Sequence, residues 1–280
     1  LVRGLAGFGL GLMADGLLER GGRFSKLSKK DARALNQSAR EKLLQFLEFR
    51  YAAGKPGDKG QYLAYTDTAD DLFVSWCCTD ALTQLDHNSV LMTAIRLCTD
   101  CVGTSVDEAE IRAQAVYIMG MLGRRTAHKH DLVSRTLLKL LREETTAHNV
   151  RAHGYAAQAV ARLWIGAPDD AGVDNAGVLS GPADDATITE PGEYGLESNL
   201  SEPVLRKRAA RTLIQCRDEL ENMMAESHHS WLRRKISESL GEIGTERALE
   251  LLKQQVRLEM SRTRTLRTAI QLLNERIDRS

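Results

Sequence analysis

Residues 231–252 read WLRRKISESLGEIGTERALELL, and the spacing of apolar side chains in this stretch decides the fold. Leu232, Ile236 and Leu240 fall four apart on one helical face, while Arg233, Arg234, Glu238 and Glu242 occupy the other. That pattern is an amphipathic helix. Gly244 ends it, and Thr245 is a good N-cap for a second helix carrying Ala248, Leu249 and Leu252. Two helices joined by so tight a corner share an apolar seam that they cannot bury alone. The pattern therefore predicts similar pairs stacked on either side.

Working outward, the same periodicity predicts a helix from Ser28 to the stop at Gly54, then helices over about 68–85, 88–103 and 105–123. Ser105 and Glu108 have the capping-box spacing that opens the last of these. Further helices are predicted over about 130–144, 147–165, 203–225, 229–241, 246–260 and 263–278. Aromatic residues make up only 5% of the chain and prolines number five, so few segments suit a β-strand. The fold class is all-α, with about ten helices in antiparallel pairs. The second members of the last four pairs begin alike: Ile111-Arg112-Ala113, Val150-Arg151-Ala152, Leu232-Arg233-Arg234 and Leu266-Arg267-Thr268.

Leu232-Arg233, the run Ser239-Leu240-Gly241-Glu242-Ile243-Gly244 and the opening Thr245-Glu246-Arg247-Ala248-Leu249 resemble the HEAT-repeat family, in its short phycobilisome-lyase form. The resemblance is clearest over residues 88–280 and implies a right-handed α-solenoid. In that family the second helix of each pair lines the concave surface. The resemblance thus sets Arg112, Arg151, Arg233 and Arg267 at equivalent places, where such an arginine commonly pairs with an acid of the neighbouring repeat. It names an architecture without naming a ligand.

Two segments fall outside the helical pattern. Residues 1–27 are Gly-rich and apolar, with the run GLAGFGLGLMA at 4–14. A bilayer core needs about twenty such residues, so this run cannot span alone and reads as a terminal segment packing on the helices. The chain opens on Leu1 rather than Met, which reads as a fragment or a processed product with any upstream targeting segment lying beyond it. The body, residues 28–280, is interrupted at 166–200 by a stretch with three of the five prolines, eight acids and no Lys or Arg. That composition predicts a flexible acidic insertion. Lys plus Arg and Asp plus Glu each number 38, so the rest of the chain carries a net +8.

No catalytic constellation emerges. There is no P-loop, no dinucleotide glycine fingerprint, no G-x-S-x-G and no His-Glu dipeptide of the kind that metal-binding HEAT enzymes repeat at their corners. Cys77-Cys78 and Cys98-Thr99-Asp100-Cys101 lie within apolar helical patterns and read as core thiols of a cytoplasmic protein rather than a zinc site. No metal, cofactor or small-molecule ligand is expected. The functional reading is a non-enzymatic scaffold binding another macromolecule, a protein, through the concave helix face. Arg112, Arg151, Arg233, Arg234, Lys235, Arg262, Arg264 and Arg267 are the candidate contacts, and stacking should bring the 233–235 and 262–267 clusters near one another. Nucleic-acid binding by the basic C-terminal surface is the alternative, although Glu250, Glu259, Glu275 and Asp278 dilute its charge. Bilin-lyase-like activity is a minor alternative implied by the family name alone. The acidic insertion reads chiefly as a solvated loop, and in second place as a tethered competitor for the basic surface.

Overall fold

The computed structural model describes residues 34, 37–41, 43, 69–84, 88–101, 106–124, 126–165, 200–258 and 263–278. The N-terminal segment 1–27, most of the first expected helix, Ser105 with its capping box, Arg262 and residues 166–199 of the acidic insertion lie outside them. The described residues form helices and no strand: α1 Ala69–Gln84, α2 Asn88–Asp100, α3 Val106–Leu122, α4 Ala127–Leu141, α5 Val150–Ile165, α6 Glu202–Glu226, α7 Ser230–Ile243, α8 Glu246–Leu258 and α9 Thr263–Ile277.

Capping chemistry moves two of the expected boundaries. The fifth expected helix begins at Ala127 rather than near His130, because Thr126 holds an extended backbone and its hydroxyl accepts the N–H of Lys129 at 3.2 Å. The next begins at Val150 rather than Ala147. There the Thr146 N–H donates to Asn149 Oδ1 (2.7 Å) and the Asn149 N–H to Thr146 Oγ1 (3.3 Å), which closes a turn just before the helix. Pro203 sits in the first turn of α6, where a missing N–H costs nothing.

The described residues divide into two compact units. In the first, which takes in the residues up to Leu122 and Thr146–Tyr155, α3 packs against both α1 and α2. Double contact explains why α3 is apolar on most sides, with Ile111, Ala113, Ala115, Val116, Ile118 and Met119 all buried. Leu82 of α1 and Leu91, Ile95 and Leu97 of α2 complete this core.

The second unit takes in Gly123–Thr145 and the residues from Ala156 onward. Here alternate helices lie side by side: α4 packs on α6, α6 on α8, and α7 on α9. Sequential helices α6 and α7, and α8 and α9, also touch. The apolar stripe read from the sequence is the buried one, since Leu232, Ile236, Leu240, Ala248 and Leu252 are wholly enclosed. Polar ties accompany it. Asp131 of α4, 1% exposed, accepts two bonds of 2.6 Å from the guanidinium of Arg208 on α6 and one of 3.2 Å from Arg135. Glu221 of α6 accepts from both the N–H (3.2 Å) and the hydroxyl (2.7 Å) of Thr245, whose oxygen in turn caps the Ala248 N–H at 3.5 Å.

The glycines at 241 and 244 serve proximity. Gly244 closes α7 with φ −65° and ψ 169°, a backbone open to any residue, but a Cβ there would lie 2.6 Å from that of Ala248. A Cβ at Gly241 would lie 2.8 Å from the Ala269 Cα on α9. This contact sets how closely α7 and α9 approach.

Candidate functional site

Gly241 meets Ala269 and Gly244 meets the side chain of Leu273, so α7 and α9 run in the same direction. Their N-terminal turns therefore come together, and a cleft of about 390 Å³ opens between them. Arg233 and Arg234 from the first turns of α7 and Arg264 from the first turn of α9 line it, with Trp231, Leu266 and Met224 supplying an apolar wall. Ser230 and Thr265 also border the space. Ser237 forms part of the lining with its hydroxyl already committed, donating to the Arg233 carbonyl at 2.7 Å.

Among the described residues that line the cleft, the charged ones are three arginines and none is an acid. The positive ends of two helix dipoles add to their field, and α7 has no side-chain cap on its first turn, His229 at the N-cap position making no such bond. Among the described residues Arg264 makes no ion pair, while Arg234 reaches Glu238 only at 3.8 Å. Among the described residues the lining contains no imidazole, thiol or carboxylate. Arginine side chains of this kind suit holding an anion.

The structure brings three of the sequence-predicted residues to this cleft and disposes of the others differently. Arg112 is a correction: it is 3% exposed, and its Nε donates to the carbonyl of Cys98 in the last turn of α2 at 2.9 Å. A guanidinium sealed in the interior as a helix cap does not present itself at a binding surface. Arg151 pairs with Glu110 on α3, and its guanidinium stands 6.0 Å from the Trp76 ring. Lys235 donates to Glu238 at 3.1 Å. Arg267 is exposed on α9 outside the cleft lining, and Arg262 lies outside the described residues. The four arginines of the recurring helix starts thus have four different surroundings.

A second polar cluster belongs to the first unit. Trp76 Nε1 donates to Glu110, and the Tyr117 hydroxyl to Asp80 at 3.0 Å. The rings of Trp76, Tyr117 and Tyr155 stand 5.1 to 6.0 Å apart by centroid. Rings at that spacing touch each other and leave no room for a ligand between them, so the cluster is a packing seam.

Cys78, Cys98, Cys101 and Cys216 are buried. Burial pushes the thiol of Cys78 up to about 11 and that of Cys101 up to about 12, the latter raised further by Glu108 nearby. Such thiols stay protonated and poorly nucleophilic. Among the described residues no group of three or more His, Cys, Asp or Glu side chains is placed to hold a metal ion. No described helix is long and apolar enough to cross a membrane.

Trp231, Ser230, Thr265 and Met224 were not anticipated as cleft residues. Trp231 carried the only available signal, a large aromatic at the opening of a helix rather than on its buried face. Compared with known proteins, the chain matches no family model, no curated protein and no solved structure.

Proposed function

We propose that the protein is a non-enzymatic scaffold of the HEAT kind, a right-handed α-solenoid that holds an acidic protein partner on the face formed by its second-row helices. The side-by-side packing of alternate helices in the second unit supports the architecture. The observation that carries the function is the cleft lined by Arg233 and Arg234 of α7 and Arg264 of α9, with no acid in its lining among the described residues. A cytoplasmic setting accompanies this reading, since none of the five cysteines is in a disulfide. Nucleic-acid binding is the weaker reading because Glu238 and Glu242 follow the arginines along α7 and Glu275 lies on α9, and these acids would repel a polyanion laid across the row.

The test is retention of polyglutamate, polylysine and a short single-stranded DNA on the immobilised full chain. Polyglutamate should bind, weaken with added salt and be lost in the Arg233→Gln/Arg234→Gln/Arg264→Gln variant. Retention of DNA above polyglutamate would replace this reading with the nucleic-acid one.

A further inference from the structure

α9 packs on α7 and α8 and buries Leu266, Ala269 and Leu273. The opposite face is exposed at Arg264, Arg267, Gln271, Glu275 and Asp278, three or four residues apart, so one stripe runs the length of the helix. Asp278 follows the last helical residue yet keeps the register, because its N–H bonds the Asn274 carbonyl at 2.9 Å. Leu272, 45% exposed, adds apolar surface beside the middle of the stripe.

Charge is segregated along this face. Both arginines stand at its start and both acids at its end. Neighbouring helices instead mix the signs and pair them locally: Arg206 with Glu202 on α6, Lys235 with Glu238 on α7 (3.1 Å) and Lys253 with Glu250 on α8 (2.9 Å). On α9 the arginines and acids of the stripe lie beyond the spacing of three or four at which helix side chains meet. Their order is also the reverse of what the helix dipole favours, which is acids in the first turn and bases in the last. The first turn holds no acid, and Arg276 in the last turn is half-buried off the stripe.

A second α9 laid antiparallel on the first removes both faults, since each arginine then meets a carboxylate and the C-terminal end of the other helix. One two-fold axis at Gln271 sets position 267 of one copy opposite 275 of the other and 264 opposite 278. Every charge on the stripe thus finds its opposite under a single operation. Gln271 already donates to Glu275 at 3.0 Å, and a carboxylate has further acceptor sites for an arginine.

We propose that the outer face of α9 is a self-association surface, on which two copies of this chain pair antiparallel with Arg267 of each against Glu275 of the other. The occupant is a second copy because the stripe complements itself, whereas a partner of one charge would meet like charge over half its length. Fifteen residues of helix span only about 22 Å, so the area covered falls below the roughly 800 Å² per partner of a standard interface. The pairing is accordingly weak, reversible and sensitive to salt.

Sedimentation equilibrium of the full chain over about 10 µM to 1 mM should show a monomer–dimer equilibrium that moves toward monomer as salt rises. Arg267→Glu and Glu275→Arg each set like charges at both symmetric contacts and should weaken dimerisation about ten-fold or more. Mixed in equal amounts, the two variants should recover it, because each supplies the charge that the other lacks. The double variant Arg267→Glu/Glu275→Arg should dimerise by itself. Both positions are exposed and lie outside the α7–α9 cleft lining, so the result is independent of the partner-binding reading, and a thermal melt checks the fold of each variant. A parent that stays monomeric at every concentration, or a dimer that survives either single reversal, would overturn the proposal. Failure of the mixture and of the double variant to recover pairing would overturn it equally.

Discussion

Gly241 on α7 lies so close to Ala269 on α9 that a Cβ at position 241 would stand 2.8 Å from the Ala269 Cα. The obstacle is backbone, which cannot rotate aside. Gly241→Ala should therefore push α7 and α9 apart and destabilise the protein by about 1–3 kcal/mol, the usual range for overpacking a tight contact. Urea denaturation measures this directly. An unchanged midpoint would mean that the two helices slide without cost.

Asp131 should be the polar residue most sensitive to truncation in the second unit. It is buried and accepts from Arg208 and Arg135, both of which keep access to solvent. Because the arginines can rehydrate, Asp131→Ala should cost about 2 kcal/mol rather than the larger penalty of stranding a fully buried charge. A double-mutant cycle with Arg208→Ala should show coupling, since removing both partners costs less than the sum of the two single losses.

His130 predicts a pH dependence. It is 6% exposed with no partner for Nε2, and burial holds its protonation below the usual 6.5, assisted by the charge of Arg206. Below that pH the unfolded chain takes up a proton that the native protein does not. The stability associated with neutral His130 is thus complete above 6.5 and is lost as pH falls through it, by at most about 1.4 kcal/mol per pH unit. Stability measured between pH 7.5 and 5.5 should fall less steeply in His130→Gln than in the parent. Identical slopes would mean that protonation at this site does not oppose folding.

The thiols should react in an order set by burial. Cys77 is half-buried, whereas Cys78, Cys98, Cys101 and Cys216 are enclosed and burial raises Cys78, Cys101 and Cys216 well above the usual thiol range. An aromatic disulfide reagent at pH 8 should titrate Cys77 first and the enclosed thiols only at the rate of opening, with all five reacting at once in denaturant. Rapid reaction of Cys101 in the native protein would contradict its burial.

The helices were legible because their information is local. Leu232, Ile236 and Leu240 announce a buried stripe within nine residues, and the structure encloses all three. Boundaries failed where a polar side chain decided them, as at Thr126, whose capping bond shows only once the chain has turned. Arg112 misled for a related reason: an arginine reads as surface unless its acceptor is known, and that acceptor is a backbone carbonyl 14 residues away. The cleft was legible in part. The two arginine clusters stand out in the sequence, but their meeting depends on the register of α7 against α9, which Gly241 and Ala269 set by steric fit. Trp231 and Thr265 enter only through that register.

The packing of alternate helices in the second unit has a kinetic consequence. The contacts seen there among α6, α7, α8 and α9 join helices one or two places apart along the chain. Few distant segments need to find each other in that region, so little loop-closure entropy opposes the search. A low contact order of this kind favours rapid folding that spreads from one neighbour to the next, and it allows the nucleus to form at more than one point along the row. The α7–α9 cleft takes shape wherever in that order Ala269 of α9 comes to rest against Gly241 of α7.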